Sequence, residues 1–302
     1  MQIAVTGRSG QVVLSLLERA KAGNVRVRAV GRPDLDLARP ETVVAALLAL
    51  RPDAIVNAAA YTAVDLAESE PALAHEINAA GAAAVARAAA QLDIPIVHLS
   101  TDYVFDGSLG RPYREDDATG PLGVYGASKL AGEAAVVAAT ANHAILRTAW
   151  VYSPFGKNFA RTMLTLANTR DEISVVSDQL GSPTNALDIA DGIIGVARNL
   201  VNRPAAPELR GTFHMTGAGE TNWAEFAQAI FAISAGVGGP SARVRPIPTS
   251  AYPTPARRPA NSRLDNSRLA NVHGVRLPDW QPSLRGCIER LVARDFQRKD
   301  TQ

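Results

Sequence analysis

Residues 1–150 alternate between short apolar runs and stretches with helical spacing, and this rhythm constrains the fold more than any other feature of the chain. QIAVT reads as a strand, and QVVLSLLERAKA follows with Val12, Leu16 and Leu17 on one helical face. VRVRAV, AIVNAAA, IPIVHLST and HAILRTAWVY read as further strands. Between them, ETVVAALLAL, the alanine-rich PALAHEINAAGAAAVARAAAQL and GASKLAGEAAVVAA read as helices. Apolar strands separated by helices bury both faces of a parallel sheet. Right-handed crossovers then make the fold α/β and doubly wound.

The rhythm weakens after residue 150. NFARTMLTLANTR, LDIADGIIGVARNLV, TNWAEFAQAIFAISA and LRGCIERLVARDF predict helices, the third opened by a Thr/Asn cap. GTFHMTG predicts a returning strand, and the proline-rich PIPTSAYPTPARRPANS an extended loop. The expected organisation is a Rossmann-like dinucleotide-binding domain over residues 1–150, with a return near 185–215. A smaller, interleaved substrate-binding lobe is expected over 151–302.

Composition excludes several other classes. A net charge of +2 without a basic stripe argues against a nucleic-acid partner. No apolar run approaches the roughly 20 residues that span a bilayer, so no membrane partner is expected. The chain enters its first strand without a basic leader, and the lone Cys287 reads as packing in a reducing compartment, so the expected location is cytoplasmic. His75, His98, His143, His214 and His273 are scattered without metal-ligand spacing, so no metal is expected.

The turn after the first strand, TGRSGQVV, suits a dinucleotide. Gly7 permits the tight turn and Gly10 the close approach of a pyrophosphate. Arg8, Ser9, Gln11 and Val12 complete a loop that opens a helix, where unpaired N–H groups and the dipole favour anions. A third glycine is replaced by Val13, at a position that serves helix–strand packing and not ligand contact. An outward shift of the helix, or room made by the small Ala4, is therefore expected. The second strand ends in Gly31-Arg32-Pro33-Asp34-Leu35-Asp36-Leu37. Arg32, with Arg8, suits bidentate binding of a 2′-phosphate, and Asp36 and Leu37 would flank the adenine. This favours NADPH, with NADH as the alternative; a solvated surface arginine is the other reading of Arg32.

VYGASKLAGE places Tyr125 and Lys129 four residues apart, on one helical face. A free tyrosine, with a pKa of about 10, is a poor acid or base at neutral pH. A nearby ammonium lowers that pKa. Lys21, Lys129, Lys157 and Lys299 are the lysines of an arginine-rich chain, so each invites scrutiny. HLSTDYVFDG places Ser100 and Thr101 at the C-terminal end of a strand, where ligands of open α/β sheets bind. The plain alternative is an ordinary aromatic–cation helix pair. Asp65 and Glu68, one turn apart, read as a solvated acid pair.

These residues resemble the extended short-chain dehydrogenase/reductase superfamily. RPDAIVNAAAYTAVDLAESEP, STDYVFDG, PLGVYGASKLAGE, RTAWVY, NFARTM and YPTPARRPANSRL together resemble the dTDP-4-dehydrorhamnose reductase family, collinearly from residue 1 to about 290. The resemblance implies hydride transfer from NAD(P)H to the C4 ketone of dTDP-4-dehydro-β-L-rhamnose, the last step in making dTDP-L-rhamnose. It implies Thr101, Tyr125 and Lys129 as the catalytic set: Tyr125 donates the proton, Lys129 lowers its pKa and holds the ribose, and Thr101 orients the C4 oxygen. Ala58, Ala59, Ala60 and Thr62 would line the cofactor, with Leu99 on its nicotinamide side. Thr101, Asp102, Tyr103 and Trp150 would contact the sugar, and Asn158 and Arg263 the nucleotide end. Asn78 would buttress Lys129 through water, or is a tolerated polar helix residue; Arg257 and Arg258 read either as diphosphate partners or as solvated, the latter favoured for one of them. Some relatives dimerise through a metal held by glutamates. Ser15 lies where such a glutamate would fall, so a monomer or homodimer without metal is expected. Two alternatives stand beside this reading: an NDP-sugar 4-epimerase of the same superfamily, and a non-catalytic NADP-binding regulatory subunit.

Overall fold

The computed structural model describes residues 1–21 and 23–296. Its first half runs β1 (Gln2–Thr6), α1 (Gln11–Ala20), β2 (Arg26–Val30), α2 (Pro40–Leu50), β3 (Ala54–Asn57), α3 (Val64–Ala67), α4 (Pro71–His75), α5 (Ala82–Leu92), β4 (Ile96–Thr101), α6 (Val124–Ala139) and β5 (His143–Thr148). The second half runs β6 (Val151–Tyr152), α7 (Phe159–Ala167), β7 (Glu172–Val176), β8 (Leu180–Gly181), β9 (Thr184–Asn185), α8 (Ala186–Asn202), β10 (Gly211–His214), β11 (Thr221–Asn222), α9 (Trp223–Gly236), β12 (Arg243–Ile247), α10 (Ser267–His273) and α11 (Trp280–Leu291). No helix among the described residues is long and apolar enough to cross a membrane.

A six-stranded parallel sheet, ordered β2-β1-β3-β4-β5-β10, carries the doubly wound, Rossmann-like fold. Alternation along each strand divides the side chains between two faces. Ile3, Val5, Val56, Val97 and Leu146 pack with α1 and α8. Ala4, Ile55, Ile96 and Ile145 pack on the other face with α2, α5 and α6. The strand order reverses beside β1, which opens a crevice at the C-terminal ends of β1 and β3. A second core of Tyr152, Leu164, Val175, Phe226, Leu284 and Ile288 joins α7, α9 and α11. The single cysteine, Cys287, is buried in it, and burial pushes its thiol up to about 12.

Four elements depart from the sequence reading. The helix expected over 71–92 contains a π-helical segment, Glu76–Gly81, between α4 and α5. Gly81, at its end, lets the Leu37 backbone pack against the helix, because a Cβ there would stand 2.7 Å from the Leu37 carbonyl oxygen. The single strand expected over 143–152 breaks: Trp150 takes a left-handed φ of 49°, and β6 pairs with β9 instead of extending the sheet. Part of the expected proline-rich loop forms β12, parallel to β7. Pro246 is tolerated because that pair is two-stranded and leaves β12 an edge. The last helix starts at Trp280, not Leu284, where Asp279 accepts from the Gln281 N–H.

Val13 is buried among Ile3, Val5, Val12 and Leu16, while Ala4 faces the opposite side of the sheet. Ala4 therefore does not make room for it. Space comes from Gly7: a Cβ on that residue would lie 3.4 Å from a Val13 methyl. Val13→Gly removes a buried side chain and adds a flexible residue to a helix, so a loss of about 2–4 kcal/mol in a denaturant melt is expected. Dinucleotide affinity should move less than about threefold. A large gain in affinity would show instead that Val13 impairs the loop.

Candidate active site

The C-terminal ends of β1, β3, β4 and β5 border a cleft of about 1030 Å³, room beyond that of an ordinary small-molecule pocket. Along it lie Gly7, Arg8, Ser9, Gly10, Gln11, Val12, Gly31, Arg32, Asp36, Leu37, Ala58, Ala59, Ala60 and Thr62. Leu99, Thr101, Asp102, Tyr103, Tyr125, Lys129 and Trp150 continue the same wall. Asn158 and Arg263 are not among its lining residues.

At the glycine-loop end the backbone comes close on purpose. Gly7 has a φ of 95°, and its N–H donates to the Val30 carbonyl at 2.7 Å. A Cβ on Gly31 would lie 3.2 Å from the Gly7 Cα. Gly10 caps α1 in extended conformation without any side-chain acceptor, so the first-turn N–H groups remain for an anion. Thr6 Oγ1 accepts from the Ala58 and Ala59 N–H groups at 3.1 and 3.0 Å and donates to Asn57 Oδ1 at 2.7 Å, which fixes the loop after β3. These features fit a dinucleotide. Arg8 is not the free cation its position in the sequence suggested. Its Nε donates to the Gly31 carbonyl at 3.2 Å and its Nη2 to the Asp34 carboxylate. Arg32 is exposed on the same rim, and Asp36 Oδ1 accepts from the Ala38 N–H at 3.1 Å.

The chemistry concentrates at the other end. Thr101 closes β4 and caps a 3₁₀ turn: its hydroxyl accepts from the Tyr103 N–H at 3.2 Å and donates to Asp102 Oδ1 at 3.0 Å. Asp102 is buried, its Oδ2 has no partner among the described residues, and burial lifts its carboxyl to about 6. Tyr125 sits in the first turn of α6, edge-on to Tyr103 with ring centroids 5.5 Å apart. Gly126 allows this approach, since a Cβ there would lie 2.2 Å from the Tyr103 carbonyl oxygen.

Lys129 is buried and donates from Nζ to the Leu99 carbonyl at 2.6 Å; desolvation lowers it to about 8. Desolvation, with the Asp102 charge adding to it, raises the Tyr125 phenol to about 12, against a smaller opposing effect of the Thr101 hydroxyl. The expected lowering by Lys129 is absent, because the ammonium is aimed at a carbonyl and desolvation of the phenol dominates.

Behind the site, Glu133 accepts from Ser100 Oγ at 2.5 Å and from Arg147 Nε and Nη2 at 2.9 and 2.6 Å. Asn78 has direct partners of its own. It accepts from the Tyr61 N–H at 2.8 Å and donates to Ser128 Oγ at 2.9 Å, so it ties the loop after β3 to α6. Asp65 and Glu68 both reach solvent, yet each has a partner. Asp65 accepts from Arg258 Nη2 at 2.8 Å, and Glu68 caps α6 by accepting from the Val124 N–H at 2.9 Å. Arg258 is thereby engaged, while Arg257 is exposed.

Two residues expected at the nucleotide end have partners within the fold. Asn158 caps α7, accepting from the Arg161 N–H at 3.1 Å, and donates to the Ser153 and Phe155 carbonyls at 2.9 and 3.1 Å. Arg263 bridges Asn261, Glu220 and the Gly110 carbonyl. Both side chains are spent inside the fold. Trp150 does line the cleft, held between Gly181 and the Trp223 ring, with the indoles stacked at 3.6 Å. Trp223 and Phe159, which also line it, were missed because each opens an amphipathic helix and reads as core. Their preceding Asn caps were the available signal. Lys157 was noted only for its rarity, yet it lines the cleft. Ser15 donates to the Gln11 carbonyl at 2.8 Å.

A nucleotide loop at one end of the cleft and a tyrosine–lysine helix at the other place the chain among the extended short-chain dehydrogenases/reductases. The RmlD substrate binding domain model matches residues 1–293. A dTDP-4-dehydrorhamnose reductase of Sinorhizobium fredii is 50% identical over 292 residues, 97% of this chain and 98% of that one. The crystal structure of a dTDP-4-dehydrorhamnose reductase from Clostridium acetobutylicum superposes with a TM-score of 0.88 at 37% identity, covering 96% of this chain and 99% of that one. That of Bacillus anthracis, in complex with NADP, gives 0.86 at 34% identity, covering 95% and 98%. The chain belongs to the dTDP-4-dehydrorhamnose reductase family.

Proposed function

We propose that this protein is a dTDP-4-dehydrorhamnose reductase, which reduces the C4 ketone of dTDP-4-dehydro-β-L-rhamnose to dTDP-β-L-rhamnose. The convergence of Thr101, Tyr125 and Lys129 on one end of a dinucleotide-sized cleft carries the reading. Residues 1–150 and the 185–215 return hold the cofactor, and 151–302 the sugar nucleotide. The glycine loop would hold NADPH, or NADH in its place, which would supply the hydride. Tyr125 gives its proton to the oxygen at C4; a phenol near 12 stays protonated at neutral pH and is available as the acid. Lys129 holds the nicotinamide ribose with its ammonium. Thr101 orients the C4 oxygen, with Asp102, Tyr103 and Trp150 against the sugar. The protein works as a monomer or homodimer in the cytoplasm, in keeping with its single buried thiol.

The test supplies dTDP-4-dehydrorhamnose and follows oxidation of NADPH and NADH. No oxidation of either by folded protein overturns the proposal. The purified protein should also lack stoichiometric NAD⁺, since an epimerase retains its cofactor and a reductase exchanges it. The pH dependence follows from Lys129, whose ammonium is charged below about 8 and lost above it. We expect kcat to be level near neutrality and to fall about tenfold per pH unit above that value. A profile flat to pH 10 (about two units beyond) would remove Lys129 from the rate-limiting step.

A further inference from the structure

The loop between β6 and α7 lies over the start of α1 and is built to stay there. Ser153 Oγ lies 2.8 Å from Gln11 Oε1 and accepts from the Phe155 N–H at 3.1 Å. Asn158 ties the loop from its far end through two carbonyls. Gly156 turns it with a φ of 61°, and a Cβ on that glycine would lie 3.6 Å from Gln11 Cγ. The residue so presented is Lys157. It is exposed, lines the same cleft as the glycine loop, and has no hydrogen-bond or ion-pair partner among the described residues.

Charge gives this placement its meaning. The diphosphate of a dinucleotide carries two negative charges, and a helix N-terminus offers only about half a positive one. Arg8, the cation within the glycine loop, is already paired with Asp34. Lys157, next to the glycine that packs over Gln11, brings an unpaired charge to the cleft that the glycine loop borders.

We infer that Lys157 binds the diphosphate of the dinucleotide, so the lobe assigned to the sugar also supplies a cofactor ligand. Asn158 then acts as the residue that holds this loop in place, which accounts for its spent side chain. The inference rests on the cofactor reading above. The diphosphate of the sugar nucleotide has the same chemistry, so the experiment must separate the two.

NADPH and NADH are titrated by their own fluorescence into the full-length protein and its Lys157→Gln variant, without substrate; dTDP is titrated separately by calorimetry. Lys157→Gln should weaken both dinucleotides by about tenfold, to a similar factor because the 2′-phosphate is not involved. Lys157→Arg should restore binding to within about threefold of the natural protein, and dTDP affinity should be unchanged. Unchanged dinucleotide affinity in Lys157→Gln overturns the inference. So does a loss confined to dTDP, which would assign Lys157 to the sugar nucleotide. Failure of the unaltered protein to bind either dinucleotide would instead overturn the cofactor reading itself.

Discussion

Tyr125→Phe lowers kcat by about 10²–10⁴-fold while the NADPH dissociation constant stays within about threefold. The substitution deletes one hydroxyl and keeps the ring, so the edge-on contact with Tyr103 at 5.5 Å survives. Lys129 keeps its 2.6 Å bond to the Leu99 carbonyl, so its charge is unaltered. What disappears is the proton. With the phenol near 12, Tyr125 is protonated throughout the working range, and no other group at this end replaces it directly. Asp102 is protonated only below about 6, and Thr101 is a far weaker acid that already donates to Asp102. Steady-state rates with dTDP-4-dehydrorhamnose, paired with NADPH fluorescence titration, test both halves. Full activity in the variant would refute the acid assignment; lost NADPH binding would mean that the hydroxyl serves the cofactor and not C4.

Glu133→Ala destabilises the protein by about 3–5 kcal/mol. The Glu133–Arg147 pair is about as buried as a pair can be, each side chain 6% exposed, and Ser100 adds a third bond. Removing the carboxylate strands the Arg147 guanidinium, one of whose nitrogens, Nη1, already lacks a partner among the described residues. Urea or thermal unfolding reads the loss; a change near zero would mean that water or a neighbour satisfies the guanidinium. The site feels this pair as well. Glu133 lies one helical turn beyond Lys129, and its negative charge helps Lys129 keep its proton against desolvation. Glu133→Gln, closer in shape, should therefore move the alkaline limb of the rate profile below 8, a shift that simple loss of packing would not cause.

How far the sequence carried can be judged residue by residue. The central strands β1, β3, β4 and β5 were visible as short apolar runs between helices, because a sheet buried on both faces demands them. Tyr125 and Lys129 were legible because four residues make one helical turn, whatever surrounds the helix. Gly7 and Gly10 were legible because only a side chain of no size suits that turn. Asn158 and Arg263 misled for the opposite reason. A polar side chain in a promising stretch has the same letter whether it faces a ligand or caps a neighbouring turn. Asp65 and Glu68 show it too, since their partners Arg258 and Val124 lie far along the chain.

By itself, then, the sequence determined what periodicity and local sterics govern: the parallel α/β core, the nucleotide turn and the shared helical face of the tyrosine and lysine. Only the tertiary structure decided which polar groups are spent and which are free. It paired Arg8 with Asp34, stacked Trp223 on Trp150, and set Lys157 in the wall of the cleft that holds the glycine loop. It also reversed the sign expected for Tyr125. The physical reason is range. Backbone preference and periodicity act over a few residues, whereas hydrogen bonding and desolvation depend on groups that the fold brings together from distant parts of the chain.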